Sequence, residues 1–362
     1  MSRPAKIYVD LDALKANYKL AQTLAPNSST IAVVKADAYG HGSVEISKAL
    51  QSSVEMFAVS CLEEALTLRQ AGIEKPILLL EGCFSADEIP IASEHNCQIV
   101  IHNQEQIEAL ENAAIHRPMP VWLKIDTGMH RLGFAPEALQ RVYSQLQRCQ
   151  QVSNIVLMSH FSHADDLAST SAQRQINMFE QCLDTIHTKD IPISLANSAA
   201  ILARPNSHGD WNRAGIMLYG LSPFLEPQKY ADKLQAVMSF ESSIIAVRWI
   251  NAGESVGYGD TWTAKRRSLI ATIAVGYGDG YPRTAKSGTP VLVNHQRVCL
   301  VGRVSMDLIS VDVTDLKEAK VGDHVELWGK NLSANEVAKW AGTIGYELVT
   351  RMPKRAQRLI KS

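Results

Sequence analysis

Between residues 31 and 219, short runs rich in Val, Ile and Leu alternate with longer stretches of helical spacing, and no other feature restricts the fold as strongly. The runs fall at 31–35, 57–60, 77–80, 98–101, 121–126, 155–160, 193–197 and 215–219. The stretches between them include 62–69, stopping before Gly72, and 104–114, opening after Asn103. Apolar residues recur there about every 3.6 positions, the repeat of a helix with one buried face. Eight strand-then-helix units predict an α/β fold of the (β/α)8 TIM-barrel type, since each crossover packs its helix back onto a parallel sheet. A doubly wound open sheet normally uses fewer strands.

The pattern changes after Leu234. Segments 243–247, 269–275, 291–293, 298–301 and 325–328 are β-type, separated by Gly-containing turns, with little helical spacing until 333–340. The 362 residues are therefore expected to divide into a barrel over 1–234 and a mostly β domain over 235–362. No low-complexity linker lies between them, so the two parts are expected to pack together.

Composition removes several functions. Thirty-six basic against 37 acidic side chains leave a net charge of −1, so no global field draws the chain to nucleic acid or an anionic membrane. No apolar run approaches the ~18 residues of a membrane helix. The opening residues, Met1 to Lys6, lead into Ile7-Tyr8-Val9-Asp10 without a signal-type segment, and a cytoplasmic location is expected. Six cysteines without a C-x-x-C pair argue against both a zinc site and a disulfide scaffold. His160 and His163 with Asp165 lack further ligands at suitable spacing, so no metal is expected.

A barrel of this kind carries its active site at the carboxyl ends of its strands. Those ends read Lys35-Ala36-Asp37-Ala38-Tyr39-Gly40-His41-Gly42, Lys124-Ile125-Asp126-Thr127-Gly128-Met129-His130-Arg131, Ser159-His160 and Asn197-Ser198. Lys35 follows Ile31-Ala32-Val33-Val34, which embeds its stem in the barrel mouth and partly desolvates its amine. Desolvation disfavours an ammonium and frees the lone pair for Schiff-base chemistry with an aldehyde or ketone. The same position equally suits a lysine snorkelling out of the barrel rim.

The stretch Val34 to Gly42 resembles the cofactor-attachment motif of the alanine racemase family. The resemblance continues through Lys124 to Gly133, Asn197-Ser198-Ala199-Ala200, Arg213-Ala214-Gly215-Ile216, Gly257-Tyr258-Gly259-Asp260-Thr261-Trp262, Ala274 to Tyr281 and Gly302 to Asp307. It spans nearly the whole chain in order.

The resemblance implies a pyridoxal 5′-phosphate enzyme that interconverts L- and D-alanine in a homodimer with shared active sites. Lys35 would hold the cofactor and handle a proton on one face of the substrate α-carbon, and Tyr258 of the partner subunit would act on the other. Arg213 would face the pyridine nitrogen, with His160 bridging toward it. Tyr39, Ser198 and the backbone of Gly215 and Ile216 would cradle the phosphate. Arg131 and the Met306 amide would bind substrate. A phenol working near neutral pH needs cationic or donor neighbours, and Arg131 and His160 are those the resemblance supplies. Asp165, Tyr277, Tyr281 and Arg283 match residues that narrow the entrance. Lys354 takes the place of a tyrosine that reaches the phosphate in some relatives.

Other signals have plainer readings. Gly276-Tyr277-Gly278-Asp279-Gly280 imitates part of a dinucleotide fingerprint but reads as a turn. The face around Glu63, Glu64 and Arg69 reads as solvated, and Trp122, Trp249, Trp328 and Trp340 as packing residues. Lys124 is either carbamylated, as its family counterpart often is, or paired with Asp126. Three alternatives stay beside the racemase reading: a related racemase for serine or larger amino acids, a cofactor carrier without catalysis, and a fold-related decarboxylase. The Tyr258 region argues against the carrier, which needs no second acid.

Overall fold

The computed structural model describes residues 3–186 and 190–361. Eight parallel strands form the first sheet, in the order Ile193–Ser194, Val152–Met158, Met119–Lys124, Cys97–Ile101, Ile77–Leu79, Phe57–Val59, Ser29–Val33 and Trp211–Ala214. The two outer strands approach one another where the Arg213 amide donates to the Ala196 carbonyl at 2.9 Å, which brings the sheet almost to a closed barrel. Helices such as Leu62–Gln70 and Gln104–Glu111 connect the strands, the latter capped by Asn103, whose side chain accepts from the Gln106 amide.

One boundary differs from the sequence reading. The eighth strand is Trp211–Ala214, whereas Ile216–Tyr219 is a buried 3₁₀ turn. The apolar run at 215–219 is apolar because it is enclosed, and the strand escapes notice because it carries Asn212 and Arg213.

The second sheet is antiparallel except at one edge. Met238–Ile250, 13 residues long, pairs with Lys6–Asp10, Ser268–Ile273 and His324–Trp328. Its pairing with Ser268–Ile273 turns the sheet back on itself, and Gln357–Lys361 adds in parallel beside Lys6–Asp10. A strand from the start of the chain thus sits in the second sheet, next to the last strand. Ser333 caps the helix Ala334–Ala341 through its side chain. Among the described residues no helix is long and apolar enough to cross a membrane.

Two apolar cores follow from the alternation of side chains along a strand. Ile31, Val33, Met56, Ala58, Leu78, Val100, Trp122, Val156 and Met158 fill the barrel interior. Their neighbours Ala32, Phe57, Val59, Leu79, Ile99 and Leu157 face the helices. Trp122 and Trp328 are packing residues as expected, but Trp249 and Trp340 are 52 % and 42 % exposed.

Candidate active site

Residues two apart on a strand share a face, so the inward row of Ile31 and Val33 points on to Lys35, that of Trp122 to Lys124 and that of Met158 to His160. Arg213 stands in register with Ile31 and joins this layer. The polar groups therefore form the lid of an apolar barrel.

Arg213 is buried and donates to Ser194 O at 3.0 Å, Ser194 Oγ at 2.6 Å, Ser159 O at 2.8 Å, Leu195 O at 3.1 Å and His160 Nδ1 at 3.2 Å. All five acceptors are neutral, and burial lowers its pKa to about 10, which keeps it charged. Burial, then the charges of Arg213, Arg131 and Lys35, bring the Lys124 amine down to about 8. Burial and the same cations hold His160 well below the usual histidine range. Lys35 itself is half-buried. Asp126 is engaged elsewhere than on Lys124: its carboxylate accepts from the amides of Gly128, Met129 and His130 at 2.9, 3.0 and 3.1 Å and meets the His130 ring.

On the other side of the mouth, Ser198 opens the helix Ser198–Ala203, which Asn197 caps. Ser198 Oγ accepts from the Gly215 amide at 2.9 Å and the Met217 amide at 3.4 Å. A Cβ at Gly215 would lie 2.8 Å from Tyr39 Oη, so Tyr39, Ser198 and the Gly215 backbone converge on a space only glycine leaves open. Burial raises the Tyr39 phenol to about 12, leaving it a donor at neutral pH.

The chain leaves Lys35 through a left-handed turn: Ala36, Asp37, Ala38 and Tyr39 have φ of 52°, 53°, 54° and 51°. Such residues cost roughly 1–2 kcal/mol each for an L-amino acid. The turn persists because its surroundings grip it. Asp37 accepts from the Ser43 amide at 2.8 Å and pairs with Arg358 at 3.0 Å, Arg358 donates to the Gly40 carbonyl at 2.8 Å, and His41 Nδ1 lies 2.9 Å from Tyr39 O.

The fold brings together Lys35, Tyr39, Arg131, His160, Ser198, Arg213, Gly215 and Ile216. It places Tyr258 and Met306 elsewhere, on the second domain, 73 % and 53 % exposed. Tyr277 is 39 % exposed in the turn Tyr277–Asp279, which fits the turn reading of that glycine-rich stretch. Tyr281 does not line an entrance: it is buried and stacked on Trp328. Lys354 is exposed, while the ring of Tyr346, which the sequence reading passed over, lies 6.3 Å from that of Tyr39. Glu63 is solvated as expected, whereas Glu64 and Arg69 are half-buried and partnered. Glu64 accepts from the amides of Ala36 and Ser60, and Arg69 donates to the carbonyls of Ile73, Lys75, His95 and Asn96.

These donors fit pyridoxal 5′-phosphate on chemical grounds. A half-buried amine suits the aldehyde, the Tyr39–Ser198–Gly215 space suits the phosphate, and surplus positive charge suits a polyanion.

Residues 9–223 match the model of the alanine racemase N-terminal domain, and residues 237–360 that of the alanine racemase C-terminal domain. An alanine racemase of Pseudoalteromonas atlantica is 51 % identical over 99 % of both chains. A catabolic alanine racemase of Pseudomonas putida is 47 % identical over 98 % of both. The crystal structure of the biosynthetic alanine racemase of Pseudomonas aeruginosa superposes with a TM-score of 0.96 at 47 % identity, covering 99 % of this chain and 100 % of that one. With both domain models matched in order, the chain belongs to the alanine racemase family.

Proposed function

We propose that this chain interconverts L- and D-alanine with pyridoxal 5′-phosphate as cofactor, using Lys35 and Tyr258 as acid/base groups on opposite faces of the substrate α-carbon. One observation carries the reading. The buried Lys124 and Arg213, the half-buried Lys35 and the exposed Arg131 act together on a neutral His160, and among the described residues none of the four forms a salt bridge with a carboxylate. Buried positive charge without a counter-ion is costly until an anion enters.

Bound there, the cofactor supplies an electron sink that acidifies the α-proton. Lys35 would hold it and move a proton on one face. Tyr39, Ser198 and the amides of Gly215 and Ile216 would hold its phosphate. Arg213, permanently charged, would keep a proton off the ring nitrogen and so restrain transamination. Arg131 and the Met306 amide would orient the substrate carboxylate.

In this reading the part of residues 1–234 that forms the barrel, which excludes the strand Lys6–Asp10, carries the cofactor, and residues 235–362 supply Tyr258 and Met306. The exposure of both residues supports a homodimer in which each copy completes the other's site. Six free thiols support a reducing, cytoplasmic setting.

Mixed dimers test the arrangement. Lys35→Ala and Tyr258→Phe proteins are each expected to be inactive, and their heterodimer to recover one intact site of two. A statistical mixture then shows about one quarter of wild-type racemisation. Activity is followed as α-deuterated D-alanine formed from L-alanine in deuterated water. No recovery after verified subunit exchange refutes shared sites. Wild-type protein that inverts no alanine refutes the activity.

A further inference from the structure

The amide of Ala36, the residue after Lys35, is held by a side chain from a different unit of the barrel. Glu64 lies in the first turn of the helix Leu62–Gln70. Its Oε1 accepts from the Ala36 amide at 2.7 Å and its Oε2 from the Ser60 amide at 2.8 Å. Ser60 follows the strand Phe57–Val59, the parallel neighbour of Ser29–Val33.

The position of this carboxylate explains its use. Regular pairing between the two strands continues as far as the Val34 amide, which donates to Ala58 O at 2.8 Å. At Ala36 the chain turns left-handed, and its amide leaves the direction in which another strand could accept from it. Glu64 takes over there, tying the departing chain to the end of the adjacent strand. Lys35 thus sits between two fixed amides, one in the sheet ladder and one on the carboxylate. The direction of its Cα–Cβ bond, and hence the reach of its amine, depends on both.

The same contact supports a backbone that alanine disfavours. Asp37, Arg358 and His41 secure the later part of the turn. Glu64 secures its first residue, the one adjoining the lysine. Glu63, beside it in sequence, is exposed and among the described residues forms no hydrogen bond with the turn.

We propose that Glu64 is a positioning residue for Lys35: by accepting the Ala36 and Ser60 amides it aims the lysine amine at the cofactor and the substrate α-carbon. Glu64 touches neither. The proposal rests on Lys35 as the attachment point, which borohydride reduction of the wild-type holoenzyme and peptide mapping test separately.

Glu64→Gln is nearly isosteric but offers one acceptor where two amides need one each. Glu64→Ala removes both, and Glu63→Ala controls for charge in the same helical turn. The readouts are kcat and KM for alanine, the rate at which hydroxylamine strips cofactor from the holoenzyme, and the thermal midpoint. Glu64→Gln is expected to keep its thermal midpoint and KM near wild type. Its kcat should fall roughly tenfold to a hundredfold, the scale on which ångström misplacement of a reacting group acts. Cofactor loss to hydroxylamine should accelerate by a similar factor. Glu63→Ala should match wild type throughout. Wild-type kcat and stripping rate in Glu64→Gln overturn the proposal, as does a loss of activity that only follows loss of folded protein. Should Glu64→Ala fail to fold, Glu64→Gln decides. If reduction labels a residue other than Lys35, the role of Glu64 falls together with that of the lysine; if Lys35 is labelled and Glu64→Gln is normal, the role of Glu64 alone falls.

Discussion

Nη2 of Arg213 donates to Nδ1 of His160 across 3.2 Å, and since a guanidinium has no acceptor, the imidazole proton is placed on Nε2. Four other bonds from Arg213 end on neutral oxygens, so the fold fixes a cation that no carboxylate pairs with among the described residues.

Reversing that charge has two effects to be separated. Arg213→Glu turns a five-bond donor into an acceptor facing carbonyls and is expected to lower stability by several kcal/mol. In the folded fraction it should reduce racemisation and raise the long-wavelength absorbance of the cofactor, because a carboxylate holds a proton on the ring nitrogen. Arg213→Lys keeps the charge without the fork, so it should lose activity without the new absorbance. Identical spectra for the two variants contradict this assignment.

At Gly215 the relevant quantity is the 2.8 Å from a hypothetical Cβ to Tyr39 Oη. Gly215→Ala should displace the phenol from the phosphate space while leaving the strand Trp211–Ala214 intact. Fluorescence titration of the apoenzyme should show cofactor affinity falling by about tenfold or more, the scale of one charge-assisted hydrogen bond. Unchanged affinity places the phosphate elsewhere.

The barrel was legible because its strands and helices differ in apolar period, which local residue type reports. What escaped the reading is non-local or runs against type. Lys6–Asp10 alternates like any half-buried strand, but its partners are at 238–241 and 357–361, a pairing no local pattern encodes. The run at 215–219 is apolar through enclosure rather than extension. Nothing in Lys35-Ala36-Asp37-Ala38-Tyr39 announces four left-handed residues, since Ala and Tyr gain nothing there. Glu64 looks solvated by composition, and only the fold brings it the Ala36 and Ser60 amides as partners. The cluster of site residues was readable because strand ends converge in a barrel; the separate placement of Tyr258 was implied by resemblance alone.

Lys124 offers a pH-dependent prediction. With a pKa of about 8 its amine is about one tenth neutral at pH 7 and mostly neutral at pH 9. Only the neutral amine adds carbon dioxide, and the resulting anion would relieve the repulsion from Arg213, Arg131 and Lys35. Carbamate on Lys124, read by carbon-13 NMR with labelled bicarbonate, is therefore expected to rise between pH 7 and 9. Lys124→Arg should abolish the signal. Labelling that is absent at pH 9 counts against this account.

His41 sets a test of acid stability. Its ring is buried against Tyr219, its Nε2 has no partner among the described residues, and burial lowers its pKa to about 4. Well above pH 6.5 it is neutral both folded and unfolded, and contributes no pH dependence. As pH falls below 6.5 the unfolded chain takes up a proton that the folded chain refuses, so stability is lost progressively down to pH 4, by about 3 kcal/mol in all. His41→Asn keeps a side-chain donor for the Tyr39 carbonyl but does not titrate. Urea midpoints of the two proteins, measured at fixed protein concentration, should therefore converge as pH falls from 6.5 toward 4, the half-buried His102, His160 and His208 contributing equally to both. A constant gap between the curves means that His41 does not titrate with folding.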